Sequence, residues 1–200
     1  MRLSTPSKAP KVLLKDSDGN VIHVGQGRRT LLVFFRDAAC PFCNLHLYQL
    51  TQRFRGLEAL GLDVVAVFAS TPAEVRRFVL ARPRPFPVAA EPTAKAYEVY
   101  GIRKSFWRKL LAVFTRFGTL VRGLEKLGLA GSLKGMAGVN TNNLMPADFL
   151  IDEQGNIVEA YYGKGAGDHI PFERIELFLA RGIASRHSTD VTQATPLTAE

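Results

Sequence analysis

Cys40 and Cys43 are the only cysteines in the chain, and only Pro41 and Phe42 separate them. The apolar run Leu31-Leu32-Val33-Phe34-Phe35 comes before the pair, and a helical-looking stretch from Asn44 to Gly56 comes after it. A strand, a short turn and a C-x-x-C at a helix start suit thiol–disulfide chemistry. The first turn of a helix offers unpaired N–H groups and a partial positive charge, and both favour thiolate over thiol. Such a position can bring a cysteine pKa from about 8.5 to about 7 or lower. Cys40 is therefore the candidate nucleophile. Cys43, one turn on, is the candidate resolving thiol that attacks a mixed disulfide. Arg36 lies four residues before Cys40, where it can favour a thiolate or a bound oxyanion. Asp37 can oppose that effect or shuttle a proton. Pro41 and Phe42 are candidate substrate-contacting residues.

Other chemistries fit less well. Cys40, Cys43 and His46 supply three metal ligands, but a structural zinc site takes four, and the sequence has no second C-x-x-C. No metal or organic cofactor is expected, and His46 reads as an exposed or capping residue. Gly163, Gly165 and Gly167 follow a hairpin strand and lack the Gly-Lys-Ser/Thr of a phosphate loop. They read as a flexible turn at the rim of the site. His169 reads as a polar residue near a helix start, with an acid–base role as the rival reading.

The positioning elements follow from periodicity. Lys11–Leu14 and Val21–Val24 are short strand-like runs around Asp16-Ser17-Asp18-Gly19-Asn20, a hairpin signal. Leu31–Phe35 and Asp63–Phe68 are continuous apolar runs, as expected of strands covered on both faces. Between them Cys43, Leu47, Leu50, Phe54, Leu57 and Leu60 recur at helical spacing. Thr71, Pro72 and Glu74 predict a capped helix start. Thr93–Tyr100 predicts a short helix. Phe149–Asp152 and Ile157–Tyr161 predict a hairpin, and Pro171–Ala180 a final amphipathic helix. Parallel pairs joined by right-handed crossovers, then an antiparallel hairpin, give an α/β mixed sheet flanked by helices.

This order, with C-x-x-C after the first core strand, resembles the thioredoxin fold, and most closely its peroxiredoxin-like branch, the redoxin or AhpC/TSA-type proteins. The carriers are Leu32–Phe35, Asp63–Phe68, the segment from Phe86-Pro87-Val88 to Tyr97-Glu98-Val99-Tyr100-Gly101-Ile102, Pro146–Asp152, and Asp168–Pro171. The resemblance implies that Pro146 is the cis-proline of thioredoxin-fold proteins, and that Met145 and Pro146 border the substrate beside Cys40. Three departures stand out. Asp37 replaces the threonine that peroxiredoxins place three residues before the peroxide-attacking cysteine. Pro146 stands where they usually have an arginine. Phe34 stands where thioredoxins bury an acid.

The net charge of +8 is concentrated in one place. Residues 101–145 hold eight basic side chains and one acid, +7 in all. Within them Phe106, Leu110, Val113, Phe117, Leu120, Val121, Leu124 and Leu127 recur at three- and four-residue steps. A basic amphipathic helical insertion is expected over 103–143. It reads as packing on the core, with contact to an anionic membrane or a protein through 103–135 as the rival. Nucleic acid is not an expected partner, since no binding motif accompanies the charge. The expected organisation is a flexible tail over 1–10, a redox domain over 11–183 and a disordered tail over 184–200. The first ten residues lack the apolar run of a secretory signal, and two close cysteines suit a reducing compartment, so a cytoplasmic location is expected. The leading functional reading is a thiol–disulfide oxidoreductase recycled by a thioredoxin- or glutathione-type reductant. The alternatives are a thiol peroxidase acting on hydroperoxides and a non-enzymatic redox-sensing or membrane-peripheral module.

Overall fold

The computed structural model describes residues 2–25, 27–102 and 144–181. The expected insertion at 103–143 and the tail at 184–200 lie outside these residues. Residues up to His169 form one compact unit, and Ile170 opens a second.

The first unit is built on a six-stranded sheet of order β1-β8-β7-β4-β5-β6. Its strands are β1 (Ser7–Lys8), β4 (Arg29–Phe35), β5 (Leu62–Phe68), β6 (Val88–Ala90), β7 (Ala147–Ile151) and β8 (Asn156–Tyr162). β2 (Leu14–Lys15) and β3 (Val21–Ile22) form the predicted hairpin. β4 pairs in parallel with β5, and β5 with β6, while β7 pairs antiparallel with β4 and with β8. The mixed sheet flanked by helices is thus the expected architecture.

β4 is buried at all seven positions. Its side chains alternate between the two faces of the sheet. Phe34 enters an aromatic cluster with Tyr97, Tyr100 and Phe149, at centroid distances of 4.8, 5.0 and 5.8 Å. Phe35 points the other way, stacking on Phe68 at 4.7 Å and meeting the rings of His46 and His169. One face of the central strand therefore carries the core cluster, and the other carries the surroundings of the cysteine helix. That helix, α1, runs Pro41–Ala59 and buries Cys43, Leu47, Leu50, Phe54 and Leu57 of the periodic set seen in the sequence, while Leu60, the last of that set, is its exposed C-cap.

Some elements differ from expectation. The predicted capping box forms: Thr71 and Glu74 satisfy each other's backbone N–H groups. Yet α2 (Pro72–Glu74) passes into a π-helical turn, Val75–Val79, and ends there. α3 (Lys95–Val99) is shorter than predicted. β6 was hidden because Val88-Ala89-Ala90 follows a proline-rich stretch and is only three residues long. The segment expected as a tail over 1–10 carries the edge strand β1, which pairs Ser7 with Ile157. Tyr162 Oη accepts from the Leu3 N–H at 2.9 Å, and Leu3 and Ala9 pack on the core. Polar composition concealed this strand because an edge strand gains its ladder bonds through the backbone, whatever its side chains.

In the second unit a helix spans 172–181, close to the predicted Pro171–Ala180. Among the described residues no helix is long and apolar enough to cross a membrane.

Candidate active site

The turn that carries Cys40 is tied down from three sides. Asp37 bends it: its carbonyl accepts the Cys40 N–H at 3.0 Å, and its carboxylate accepts the Ala39 N–H at 2.8 Å. Ser70, at the end of β5, accepts the Ala38 N–H at 3.0 Å. Asn44 is almost fully buried, and its side-chain amide donates to Ala38 O at 2.7 Å and Cys40 O at 3.1 Å. Asp37 thus acts in the structure as a turn former, and Asn44 is a positioning residue that sequence reading missed. An amide side chain in the first turn of the helix was its only signal.

Cys40 is the N-cap residue of α1, with Pro41 at the first helical position. Both cysteines are free thiols. The Cys40 pKa is lowered to about 7, first by the hydrogen bond from the Cys43 thiol, then by Arg36 and by the backbone N–H groups of Cys43 and Phe42, against the opposing cost of burial. The Cys43 thiol is pushed well up, first by burial and then by Cys40. The roles expected of the two sulfurs are physically separated: one ionises near neutral pH, and the other holds its proton and donates it. Cys40 is 5% exposed and Cys43 0%. The nucleophile is therefore more enclosed than a helix-start cysteine suggests.

Arg36 is also buried, and its Nε has no hydrogen-bond partner among the described residues. A guanidinium kept beside a thiolate without full pairing is available to an incoming oxygen atom. Replacing Arg36 with methionine should leave Cys40 in place and raise its pKa. In wild type, alkylation of Cys40 should rise with pH through about 7, where the thiolate forms, and then level off. In the variant the rise should move to higher pH. An unchanged profile would show that Arg36 contributes no electrostatic stabilisation.

The predicted substrate residues separate. Pro41 is buried at the helix start, and Phe42 is half-buried, its ring 3.5 Å from where a Cβ at Gly167 would stand. Met145 and Pro146 are buried. The Met145–Pro146 bond is trans, since Thr5–Pro6 is the cis bond among the described residues. This corrects the cis-proline expectation: Pro146 opens β7 as a strand-initiating proline, and its carbonyl accepts the Gly163 N–H at 2.9 Å. A Cβ on Gly163 would lie 2.3 Å from Asp168 O, so only glycine fits there. The glycine loop rims the site as expected, with Gly163 against Pro146 and Gly167 against Phe42. It is also braced: Asp168 accepts from Tyr161 Oη and from the Lys164 N–H, each at 2.6 Å.

The histidines depart furthest from expectation. His46 is partly buried, and its ring lies flat on that of His169, centroids 4.0 Å apart and 3° between planes. His169 Nδ1 is 2.9 Å from Oδ1 of Asp148, which is fully buried. The one legible signal was an aspartate inside the otherwise apolar strand Ala147–Ile151, which demands a buried partner. Among the described residues no three His, Cys, Asp or Glu side chains are arranged to hold a metal. A groove of about 400 Å³ near Asp16, Val21, Leu80 and Pro87 contains none of the candidate residues.

A mixed sheet of this order with a paired-cysteine turn at the head of its long helix defines a thioredoxin-fold, peroxiredoxin-like protein. The AhpC/TSA family signature matches residues 6–160, and the chain belongs to that family. The Mycobacterium tuberculosis protein named "Putative peroxiredoxin Rv2521" is 25% identical over 178 residues, 88% of this chain and 96% of that protein. Peroxiredoxin Bcp of Escherichia coli is 27% identical over 117 residues, 56% of this chain and 75% of its own length. The crystal structure of a cysteine-to-serine mutant of Xylella fastidiosa PrxQ matches with a TM-score of 0.62 at 13% identity, over 93% of this chain and 99% of that one. At that identity the likeness speaks for the fold alone.

Proposed function

We propose that the protein is a thiol peroxidase in which Cys40 attacks a hydroperoxide and Cys43 resolves the product. The carrying observation is the enclosed Cys40 residue, 5% exposed, with a pKa lowered to about 7 by the Cys43 thiol and Arg36. A protein disulfide must bring two bulky backbones to the sulfur it exchanges with. A hydroperoxide needs room for two oxygen atoms. The Cys40 thiolate attacks one peroxide oxygen; the O–O bond breaks, the sulfur becomes a sulfenic acid, and the departing alkoxide takes a proton to leave as an alcohol. Cys43 then attacks the oxidised sulfur, an S–S bond forms, and water leaves. An external dithiol supplies the two electrons that restore the pair. The peroxiredoxin names of the relatives support this reading.

One observation favours the disulfide-exchange reading: Asp37 and Pro146 stand where the usual peroxidase threonine and arginine belong. Stopped-flow mixing of the reduced protein with hydrogen peroxide and, separately, with a model aromatic disulfide distinguishes the two. The expected result is a peroxide reaction at least ten times faster than that of the unactivated thiol in unfolded protein at the same pH. Rapid exchange with the disulfide and sluggish reaction with peroxide would overturn the peroxidase assignment. Cys40, Cys43 and Arg36 are the proposed reacting group of residues, with Phe42 at the entrance. A cytoplasmic location is proposed with it, on the chemistry of two reduced thiols.

A further inference from the structure

Closing the disulfide sets a problem that the cysteine pair does not solve alone. Cys43 keeps its proton because it is fully buried, yet it must lose that proton as it attacks Cys40. Thioredoxins bury an acid six residues before the first cysteine, and here that position is Phe34, which faces the aromatic core instead. A base has to come from elsewhere.

The buried imidazole of His169 has the attributes of one. Its side chain is 1% exposed. Asp148 holds Nδ1, which leaves Nε2 as the atom able to accept a proton. That Nε2 is buried and has no hydrogen-bond partner among the described residues. A buried, oriented and unused acceptor is costly in a core unless it has work to do.

Two groups fix the ring in place. The Asp148 carboxylate stands beside it, and the face of His46 covers it. His46 itself stays neutral at neutral pH, since burial, and after it the neighbouring His169, push its pKa well down. The cluster shares its neighbours with the cysteine turn. His46 follows Cys43 by three residues on α1, which puts the two on one side of the helix. Phe35 touches both imidazoles, and the next residue, Arg36, donates its backbone N–H to the Cys43 thiol.

We propose that His169, held by Asp148 and covered by His46, accepts the Cys43 proton as the Cys40–Cys43 disulfide closes. In that step the Cys43 sulfur supplies the electron pair for the S–S bond, the S–O bond of the Cys40 sulfenic acid breaks, and the departing hydroxide leaves as water once the imidazolium returns the proton. Asp148 and His46 are positioning residues. The other titratable and charged groups facing this region are Cys40, Arg36 and Tyr97, whose hydroxyl donates to Phe35 O at 2.6 Å. Asp168 is engaged by Tyr161 and Lys164.

The sulfenic-acid form of this step rests on the peroxidase reading, so the test uses two oxidants. Full-length reduced protein receives a stoichiometric pulse of hydrogen peroxide or of diamide, and disulfide closure is followed from ~pH 5 to ~pH 9. Diamide marks the Cys40 thiolate without any peroxide chemistry and still requires Cys43 to close the bond. His169→Gln should slow closure on the order of 10²-fold near neutral pH, with a closure rate that then climbs steadily with pH as Cys43 ionises unaided. The initial reaction of Cys40 should be unchanged. Asp148→Asn should act in the same direction and more weakly. In wild type, the His169 ring signals should differ between the dithiol and disulfide forms at one fixed pH, a readout that needs no variant to fold. Closure in His169→Gln with the wild-type rate and pH profile, or ring signals blind to the redox state, would overturn the proposal. Failure of the peroxide arm alone, with the diamide arm behaving as stated, would sink the peroxidase reading and leave the role of His169 standing.

Discussion

Replacing Cys40 with serine should reduce peroxide consumption to the background of peroxide and reductant alone, while Cys43→Ser should stop the protein after a single oxidation. The two outcomes follow from the different positions of the sulfurs. Cys40 is the group whose ionised form is stabilised, by the Cys43 S–H, the Arg36 charge and two backbone N–H groups. A serine hydroxyl there stays protonated under the same influences, and no oxygen nucleophile replaces the polarisable thiolate. If the acceleration lies at the low end for enzymes, the loss is on the order of 10⁶-fold. Cys43 contributes a donor to that thiolate and then the second sulfur of the disulfide. Without it, the Cys40 sulfenic acid has no partner and should accumulate, trapped one-for-one by dimedone and visible as a mass shift. Loss of the Cys43 donor should also raise the Cys40 pKa, because that hydrogen bond is the largest lowering influence. Peroxide turnover by Cys40→Ser at the wild-type rate would end the assignment of the nucleophile, and turnover by Cys43→Ser under a monothiol-free reductant would end that of the resolving thiol.

The spacing of the cysteines, the burial of β4 and the periodicity of α1 were all legible in the sequence, because each is set by local pattern. The parallel core pairs β4–β5 and the late hairpin were legible for the same reason. What stayed hidden depended on long-range neighbours. Cys40 reads only as a helix-start cysteine until Asn44, Ser70 and Asp37 close its turn around it. His46 and His169 are 123 positions apart in the numbering and meet only because β7 and the glycine loop bring the latter to α1. The trans bond at Pro146 also escaped a resemblance-based reading, since a proline before an "FLID"-like strand satisfies both a cis turn and an ordinary strand start. Asp148 was a signal left unread: a carboxylate in an apolar strand announces a buried partner even when the partner cannot be named.

The alternation of β4 also predicts that stability and chemistry can be separated by one residue. Phe34→Ala should destabilise the fold by about 3–5 kcal/mol, the range for deleting a fully buried aromatic ring. Phe34 is 0% exposed, and its ring meets Tyr97, Tyr100 and Phe149, so three neighbours lose contact and none is a flexible surface group. For a chain of this size that loss should lower the melting temperature by roughly 10 °C. Among molecules that remain folded, the Cys40 alkylation profile should still rise through about pH 7, because its stabilising groups lie at the end of the strand and on α1. Phe35→Ala should do both kinds of damage. Its ring stacks on Phe68 and contacts His46 and His169, so its removal loosens the imidazole stack as well as the core. Urea unfolding paired with the alkylation profile measures both effects on the same samples. Equal perturbation of the Cys40 profile by the two alanines would show that the two faces of the strand are not independent, and that the aromatic core reaches the chemistry through the backbone of β4.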